Sequence, residues 1–287
     1  GSSKSMMSKC MASILPPMSL KEAIETSMVY SVAGMLDAET GLVTHRPFRA
    51  PHHTASTVAV VGGGSRAVPG EISLAHNGIL YLDEVAQFAP ATLEVLRQPL
   101  EDRHITVSRA RYKVDFPASF MLVASMNPCP CGYAGEDDGR CTCTPAMIHR
   151  YRSRLSGPLM DRIDLNINVK AVDSRSMSMA PSEESSSTVA ERVAAVREVQ
   201  ARRFAGEGIF TNAQMLPSHL QRFCMVEGEA ARLLQRLMDS YRLSARGYVR
   251  ILKVARTIAD MAGSDVIGTE HVSEAAQYRF PDSYSSV

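Results

Sequence analysis

The pattern of apolar and polar positions changes along the chain. In its first part, short unbroken apolar runs predict strands, and residues 79–82 and 119–125 are the clearest of them. Runs of this kind are typical of strands buried on both faces, as in the parallel sheet of an α/β fold. Helical spacing occurs there too, and Ser19 to Glu22 has the form of a capping box that opens a helix running to about Gly34.

From residue 188 onwards the apolar spacing is helical. It covers residues 188–204, 228–242, 247–262 and 270–279. Between the two patterns, residues 171–187 are polar, rich in serine and short of core residues, which predicts a flexible linker. The sequence therefore predicts an α/β domain over residues 1–170, a linker over residues 171–187 and an all-helical domain over residues 188–287.

The overall composition is that of a globular protein, with 45% hydrophobic and 21% charged residues. The formal net charge of +1 gives no overall basic field, so any contact with nucleic acid would need a local basic cluster. No apolar run approaches the roughly 18 residues of a membrane span. No signal peptide is visible either. We therefore expect a cytoplasmic location and no membrane contact.

Two carboxylates, Asp83 and Glu84, directly follow the apolar run at residues 79–82. Ligands of open α/β sheets bind beyond the carboxyl ends of the strands, which is where this pair would lie. A strand that ends in two acidic residues has the form of a Walker B motif, in which the first carboxylate holds Mg²⁺ and the second polarises the attacking water. The alternative is a buried strand that ends in a solvated acidic turn.

Further residues fit the same phosphate chemistry. Lys4 and Ser5 stand before a helical stretch, as the last two residues of a Gly-x-x-x-x-Gly-Lys-Ser/Thr phosphate loop would. The glycines of that loop are not in the sequence, so we expect this chain to bind nucleotide weakly; the alternative is an ordinary polar N-terminus. Asn127 follows the second strand, where it would orient the attacking water or serve as a turn residue before Pro128.

Arg162 precedes a strand-like stretch at residues 163–169. An arginine at this point could reach the γ-phosphate bound by a neighbouring subunit and stabilise the charge of the transition state, as an arginine finger does. The alternative is a surface salt bridge with Asp161 or Asp164.

Four cysteines are clustered shortly after Asn127. They form two closely spaced pairs, Cys129 with Cys131 and Cys141 with Cys143. Such pairs around a polar loop can supply four thiolates to Zn²⁺, although a spacing of one residue within a pair is less specific than the usual two or more. Free reduced thiols are the alternative, and an iron–sulfur cluster has no supporting spacing.

Residues 104–116 alternate in part like a β-hairpin and carry Arg109, Arg111 and Lys113. In a single strand these three positions would share one face. A basic face of this kind would hold phosphates of DNA without reading bases. The alternative is a sheet edge that its charges keep solvated.

The motifs together closely resemble those of the magnesium-chelatase-like AAA+ ATPases, and among them the ComM/YifB type. The resemblance rests on residues 78–84, 125–128, 159–164 and 244–246, with further similarity at 46–53, 69–76 and 127–132. It implies an AAA+ P-loop core with a helical lid, and ATP and Mg²⁺ as ligands. It also implies a ring of subunits, with six as the expected number, in which each ATP site lies between two neighbours. Within the family pattern, Lys4 and Ser5 end Walker A, Asn127 is sensor 1, Arg162 the arginine finger and Arg246 sensor 2. Family members also carry an upstream domain related to the Lon protease, which this sequence lacks.

Three functions are compatible with these observations. The first is an ATP-driven motor on DNA, of the branch-migration or helicase type, which the basic hairpin and the resemblance favour. The second is a chelatase-like or chaperone-like ATPase that remodels a partner protein without DNA. The third is a nucleotide-binding scaffold without turnover, which the incomplete phosphate loop suggests.

Overall fold

The computed structural model describes residues 2–36, 39, 41–64, 67–109, 112–135, 139–169 and 184–279. Contacts between residues divide the chain into two units, residues 1–162 and residues 163–287. Residues 171–183 of the predicted linker lie outside the described residues. Its last residues belong to a helix, because Ser185 caps a helix that begins at Ser186.

The first unit combines helices and short strands. Its helices are α1 Ser2–Ile14, α2 Leu20–Val32, α3 Thr57–Val61, α4 Glu71–Leu74, α5 Pro90–Glu94, α6 Arg97–Asp102, α7 Pro145–Arg152 and α8 Gly157–Met160, with a 3₁₀ turn at Val85–Gln87. Its strands are β1 Phe48–Arg49, β2 Gly62–Gly63, β3 Val68–Pro69, β4 Ile79–Leu82, β5 His104–Arg109, β6 Tyr112–Pro117 and β7 Met121–Ala124.

A parallel sheet in the order β1-β4-β7 lies at the centre of this unit. Every residue of β4 is buried. Tyr81 is the most exposed of the four, at 3%. Burial on both faces explains why β4 reads as an unbroken apolar run. The predicted α/β fold with a parallel sheet is confirmed, and so are the strands expected at residues 79–82 and 119–125.

The entry into β4 depends on a glycine. A Cβ atom at Gly78 would lie 2.0 Å from the carbonyl oxygen of Pro47, which is closer than any real contact. The same carbonyl accepts a hydrogen bond from the Ile79 N–H at 2.8 Å, so β1 pairs with β4 only because no side chain separates them.

The capping box at the start of α2 is confirmed, since Ser19 and Glu22 exchange both capping hydrogen bonds. Residues 90–98 have the opening proline and the apolar spacing that predict a single helix, but the structure has two short helices in this region, α5 and α6. Both apolar residues that marked its buried side, Leu93 and Leu96, do lie in the core, at 2% and 1% exposure.

The hairpin expected at residues 104–116 is confirmed as the antiparallel pair β5–β6, but one inference from it is wrong. Arg109 pairs with Tyr112, and Lys113 pairs with Ser108 on the returning strand. The chain reverses between residues 109 and 112, so Arg109, Arg111 and Lys113 do not lie along one strand and the argument for a shared face fails. Arg111 lies outside the described residues.

The strand-like interpretation of residues 163–169 is also wrong, since no residue of this described stretch is in a strand. Its backbone bonds to the last helix of the second unit instead: the Asn166 N–H donates to the Tyr278 carbonyl at 2.7 Å, and Arg279 donates to the Ile163 carbonyl at 2.7 Å. Because these groups are satisfied by a helix end, they are not available to a sheet.

The second unit is helical wherever it is regular. Its helices are α9 Ser186–Arg203, α10 Pro217–Phe223, α11 Gly228–Tyr241, α12 Ala245–Met261 and α13 Thr269–Arg279, with a 3₁₀ turn at Asn212–Gln214. Their apolar sides form one core cluster around α12, in which Ile251 and Ala255 are almost fully buried. No helix among the described residues is long and apolar enough to cross a membrane.

A buried carboxylate ties three elements of the second unit together. Asp260 on α12 receives hydrogen bonds from Arg203 on α9, from Asn212 at 2.8 Å and from Arg256 at 3.0 Å. Burial raises the pKa of Asp260, but the hydrogen bonds and positive charges around it outweigh burial and leave the pKa below its ordinary value. The carboxylate is therefore held in its charged form.

We expect Asp260→Asn to lower the free energy of unfolding by about 3–5 kcal/mol at pH 7, because it leaves buried arginines without their counter-charge. A group whose pKa is lowered by folding adds stability above its unfolded pKa and loses that contribution as the pH falls through its folded pKa. The wild type should therefore lose stability below about pH 4, and the variant should lack this part of the acid dependence. Urea unfolding at pH 7 and pH 3.5 measures both. Asp239→Asn on the exposed side of α11 is the matched control; equal stability of both variants would contradict the prediction.

Candidate active site

The acidic pair lies where two parallel strands end side by side. The register of β4 against β7 places Leu82 opposite Ala124, so that Asp83 and Ser125 are the next residues on neighbouring strands. Ser125 Oγ donates a hydrogen bond to Asp83 Oδ1 at 2.5 Å, and the same Oγ accepts the Glu84 N–H at 3.1 Å. One hydroxyl thus bonds to the carboxylate of Asp83 and to the backbone of Glu84.

The other oxygen of Asp83 faces α1. Ser5 Oγ donates to Asp83 Oδ2 at 3.0 Å, and the Tyr81 hydroxyl donates to Asp83 Oδ1 at 2.8 Å. Carboxylate and hydroxyl oxygens at this separation are the donor set that Mg²⁺ takes in phosphate sites. Ser5 and Asp83 therefore fit the magnesium ion that the sequence predicts.

Hydrogen bonding keeps Asp83 ionised. Its partial burial raises the pKa of the carboxyl group, but the hydrogen bonds from Ser125, Tyr81 and Ser5 outweigh this and lower the pKa below its ordinary value. A carboxylate that is charged at neutral pH is the form required to bind a cation.

Glu84 has an unusual backbone conformation. Its φ of 50° and ψ of 53° are left-handed, which costs a non-glycine residue about 1–2 kcal/mol. This turn carries the side chain towards β7, where Asn127 Nδ2 donates to Glu84 Oε1 at 3.3 Å. Strained backbone of this kind is commonly found at functional sites.

Lys4 completes the group from the N-terminal side. Its ammonium donates to the Met126 carbonyl at 3.0 Å and lies 3.5 Å from Asn127 Oδ1. Asn127 is therefore in contact with Lys4 through its oxygen and with Glu84 through its nitrogen. The sequence predicts five residues for a phosphate site in the first unit, and the structure brings all of them together. They are Lys4, Ser5, Asp83, Glu84 and Asn127.

Two residues of the site, Tyr81 and Ser125, were not predicted. Tyr81 precedes Asp83 by two positions, and residues two apart in a strand lie on the same face, so its contact could have been inferred. Ser125 gave no such signal, because its role depends on the register between β4 and β7.

Arg162 is buried within the first unit, with 8% of its surface exposed. Its guanidinium forms an ion pair with Glu101 at 2.9 Å and donates to the carbonyls of Arg97 and Pro158 at 3.1 and 2.6 Å. The partner is thus neither Asp161 nor Asp164, which the salt-bridge alternative named. Its role as an arginine finger stays a prediction.

Two further basic candidates, Arg246 and Lys113, belong to the second and the first unit respectively. Arg246 is exposed near the start of α12, whose N-cap is Ser244. Lys113 is exposed on the hairpin, opposite the face on which Ile105 and Val107 are buried. The proposed contacts of Arg246 with nucleotide and of the hairpin with DNA stay predictions.

The four clustered cysteines converge as well. Their Sγ atoms lie within 4.8 Å of one another, and this is the one group among the described residues whose His, Cys, Asp or Glu side chains are close enough to hold a metal ion. Cys129 lies 3.3 Å from Cys131 and 3.8 Å from Cys141, and Cys131 lies 3.7 Å from Cys141. The thiols are free, and these separations are far longer than the roughly 2 Å of a disulfide bond.

The thiols differ in acidity. The backbone N–H of Tyr133 and the Cys129 side chain lower the pKa of Cys131 to about 6. For Cys143, a backbone hydrogen bond from Cys131 lowers the pKa, but burial and hydrogen bonds to the neighbouring thiols outweigh it and raise the pKa to about 11. Four thiolates are thus not stable together unless a cation neutralises them.

The fold and the site define an α/β core of the P-loop kind followed by a helical domain. A sequence model of the family described as magnesium chelatase, subunit ChlI, matches residues 1–177, and the model of the ChlI C-terminal region matches residues 183–279. The chain belongs to the magnesium chelatase ChlI family and has its AAA+ core and helical lid. The family resemblance inferred from the motifs is thereby confirmed.

Several curated proteins are similar over nearly the whole chain. The protein named YifB of Salmonella typhimurium is 43% identical over 283 residues, and competence protein ComM of Haemophilus influenzae is 44% identical over 282. These alignments cover 98% and 97% of this chain, which spans 54% of the length of each relative. A distant match, 22% identical over 220 residues, is the maternal DNA replication licensing factor mcm6 of Xenopus tropicalis, covering 72% of this chain and 25% of that one.

Replacing the shared hydroxyl tests the geometry of the acidic pair. We expect Ser125→Ala to raise the pKa of Asp83 towards its ordinary value, because the carboxylate loses one of the donors that stabilise its charge. Titration of the Asp83 carboxyl carbon by NMR measures the change. Ser13→Ala removes a hydroxyl that bonds only locally to the Cys10 carbonyl and should leave Asp83 unchanged. An unaltered Asp83 pKa in Ser125→Ala would show that this hydrogen bond does not hold the carboxylate.

Proposed function

We propose that the chain is the motor domain of an ATPase that binds and hydrolyses ATP with Mg²⁺ between Lys4, Ser5, Asp83, Glu84 and Asn127. The observation that carries this proposal is the meeting of these five side chains at the carboxyl edge of β4 and β7. Membership of the ChlI family supports it.

Each residue has a role that its contacts support. Lys4 has neutral partners, a carbonyl and an amide oxygen, so its charge is free to bind a phosphate oxygen. Ser5 and Asp83 would hold Mg²⁺, which when bound neutralises phosphate charge. Glu84 would accept the proton of the attacking water, and Asn127, already bonded to Glu84 at 3.3 Å, would orient that water.

Removing the base should separate binding from turnover. We expect Glu84→Gln to lower kcat for ATP hydrolysis by about 10²- to 10⁴-fold, since the amide cannot accept a proton, while ATP binding changes little. Phosphate release and equilibrium binding of a fluorescent ATP analogue, both on the full-length protein, measure the two quantities.

The matched control is Glu229→Gln, because Glu229 is exposed on α11, where it forms only a surface pair with Arg232. Turnover that survives in Glu84→Gln would refute the assignment of Glu84. ATP binding without turnover in the wild type would instead favour the nucleotide-binding scaffold.

We also propose that the protein acts as a homo-oligomeric ring, with six subunits expected, in which Arg162 and Arg246 serve ATP sites. Arg162 would then act on the site of a neighbouring subunit. In the described chain its guanidinium is paired with Glu101, so this role requires Arg162 to exchange that carboxylate for a phosphate.

DNA is the substrate we propose for this motor. The name of one distant relative, a DNA replication licensing factor, refers to DNA and supports a substrate of this class. In the structure, Lys113 is exposed on the solvent side of the β5–β6 hairpin and could contact a phosphate. Asp115 lies on the same side and is paired with Thr106, so that this side is not uniformly basic.

The contribution of the hairpin to DNA binding is measurable. We expect the combined change of Arg109, Arg111 and Lys113 to Ala to weaken binding of duplex DNA and to reduce the slope of log K against log salt by about 2–3, one counterion per lost phosphate contact. Fluorescence anisotropy over a salt series measures the slope.

Lys21→Ala, at an exposed position on α2, is the control and should leave the slope unchanged. If the triple variant keeps the slope of the wild type, the hairpin does not contact DNA. The ATPase rate with and without branched DNA, measured on the same proteins, tests the motor itself.

A second candidate is a chelatase-like or chaperone-like ATPase that remodels a partner protein without DNA; the family description names a subunit of a chelatase, and a subunit has protein partners. Such a protein would show turnover that DNA does not stimulate and that a protein partner does. The DNA titration therefore distinguishes the two candidates.

Zn²⁺ is the ion that we propose for the four-cysteine cluster. Four sulfurs at Zn–S distances of about 2.3 Å lie roughly 3.8 Å apart in a tetrahedron. The distances of 3.7 and 3.8 Å from Cys141 to Cys131 and Cys129 agree with such edges. Thiolates are soft ligands, which favours zinc over the Mg²⁺ of the phosphate site.

A further inference from the structure

The cysteine cluster is joined to the catalytic edge at both of its ends. Cys129 follows Asn127 with only Pro128 between them, and Cys143 directly precedes Thr144, the N-cap of α7. Proline has a fixed φ and restricts the residue before it, so the short connection to Asn127 is stiff. A constraint on Cys129 is therefore transmitted to Asn127.

Helix α7 returns from the cluster to the same backbone. Arg152 donates through Nε to the Pro128 carbonyl at 3.2 Å. Tyr151, whose side chain is buried, is hydrogen-bonded to the backbone of Asn127. The segment before the cysteine loop and the helix after it are thus in contact at Asn127 and Pro128. The four cysteines lie in the loop between these two segments.

The described part of the loop buries little of its surface. Of its described residues between 129 and 143, only Cys129 is buried, and the rest are intermediate or exposed. Within the loop, the Cys129 carbonyl accepts the Gly132 N–H at 3.0 Å, and the Cys129 sulfur accepts the Ala134 N–H at 3.3 Å. The Arg140 guanidinium lies 4.5 Å from the centre of the Tyr133 ring. Backbone N–H donors to sulfur are the surroundings that stabilise a bound thiolate.

We propose that metal binding by Cys129, Cys131, Cys141 and Cys143 positions Asn127 against Glu84, so that zinc occupancy sets the rate of ATP hydrolysis. This inference rests on the proposed ATPase function. The cysteines are positioning residues: they lie outside the phosphate site and act through the backbone of Asn127. Loss of the ion should slow the hydrolytic step more than it weakens ATP binding, since Ser5 and Asp83 are held by contacts with each other, with Tyr81 and with Ser125.

The test compares metal content, local order and turnover in the full-length protein. Elemental analysis should find about one zinc per chain in the wild type and in Cys10→Ser, a control at an exposed cysteine outside the cluster. Cys131→Ser and Cys143→Ser should lose the zinc. Hydrogen–deuterium exchange of the backbone at residues 126–134 should be faster in those two variants and unchanged in Cys10→Ser.

Turnover should follow metal content. We expect kcat to fall about 10- to 100-fold in Cys131→Ser and Cys143→Ser, with the KM for ATP changed much less. Removal of zinc from the wild type by a chelator should have the same effect, and added Zn²⁺ should restore the rate. This arm does not depend on whether the serine variants fold.

A double variant separates positioning from general damage. If the cysteines act through Asn127, then Asn127→Ala should lower kcat in the zinc-containing protein but cause little further loss in Cys143→Ser. Additive losses, or zinc removal that leaves both kcat and exchange at residues 126–134 unchanged, would overturn the inference. So would a purified protein that contains no zinc and takes up none.

Failure of the proposed ATPase function gives a different result. In that case the wild type does not hydrolyse ATP, while zinc content and exchange at residues 126–134 still respond to the cysteine variants. If the wild type does not hydrolyse ATP and exchange does not respond to the cysteine variants either, both proposals are wrong.

Discussion

The parallel pairing of β4 with β7 is the interaction on which the candidate site depends. Their register places Asp83 next to Ser125, and the Ser125 hydroxyl then bonds to one carboxylate and to the backbone of the other. A shift of either strand by one residue would turn the side chains of that strand to the opposite face and separate these groups. The register is in turn fixed by the burial of β4 on both faces, which leaves no freedom for the strand to slide.

Charge is distributed in the site in a way that suits a triphosphate. Asp83 is surrounded by hydroxyl donors that keep it ionised, whereas Lys4 rests on neutral oxygens. The ammonium therefore does not have to leave a carboxylate in order to bind a phosphate. Arg162 is the opposite case, because its charge is already compensated by Glu101. Any transfer of Arg162 to a phosphate must replace that ion pair with an equally strong one.

The cysteine loop shows how a polar segment can be ordered beside a catalytic edge. Among its described residues only Cys129 is buried, which is too little to form a core. The loop begins after Asn127 and ends at helix α7. This helix contacts the start of the loop at the Pro128 carbonyl. Chelation of a metal ion would close that loop by a few strong bonds instead of many weak contacts.

Local patterns in the sequence determined much of this protein: the buried strand β4, the acidic pair behind it, the capping box of α2 and the residues of the phosphate site, because each is a short-range preference of the chain. The motifs in the sequence also identified the family, which the family models confirm. Tertiary structure alone decided the part of Ser125, the burial of Arg162 against Glu101, the reversal of the hairpin between residues 109 and 112, and the pairing of residues 163–169 with a helix end. Except for the hairpin turn, these features depend on contacts between residues far apart in the chain, which spacing and composition do not encode.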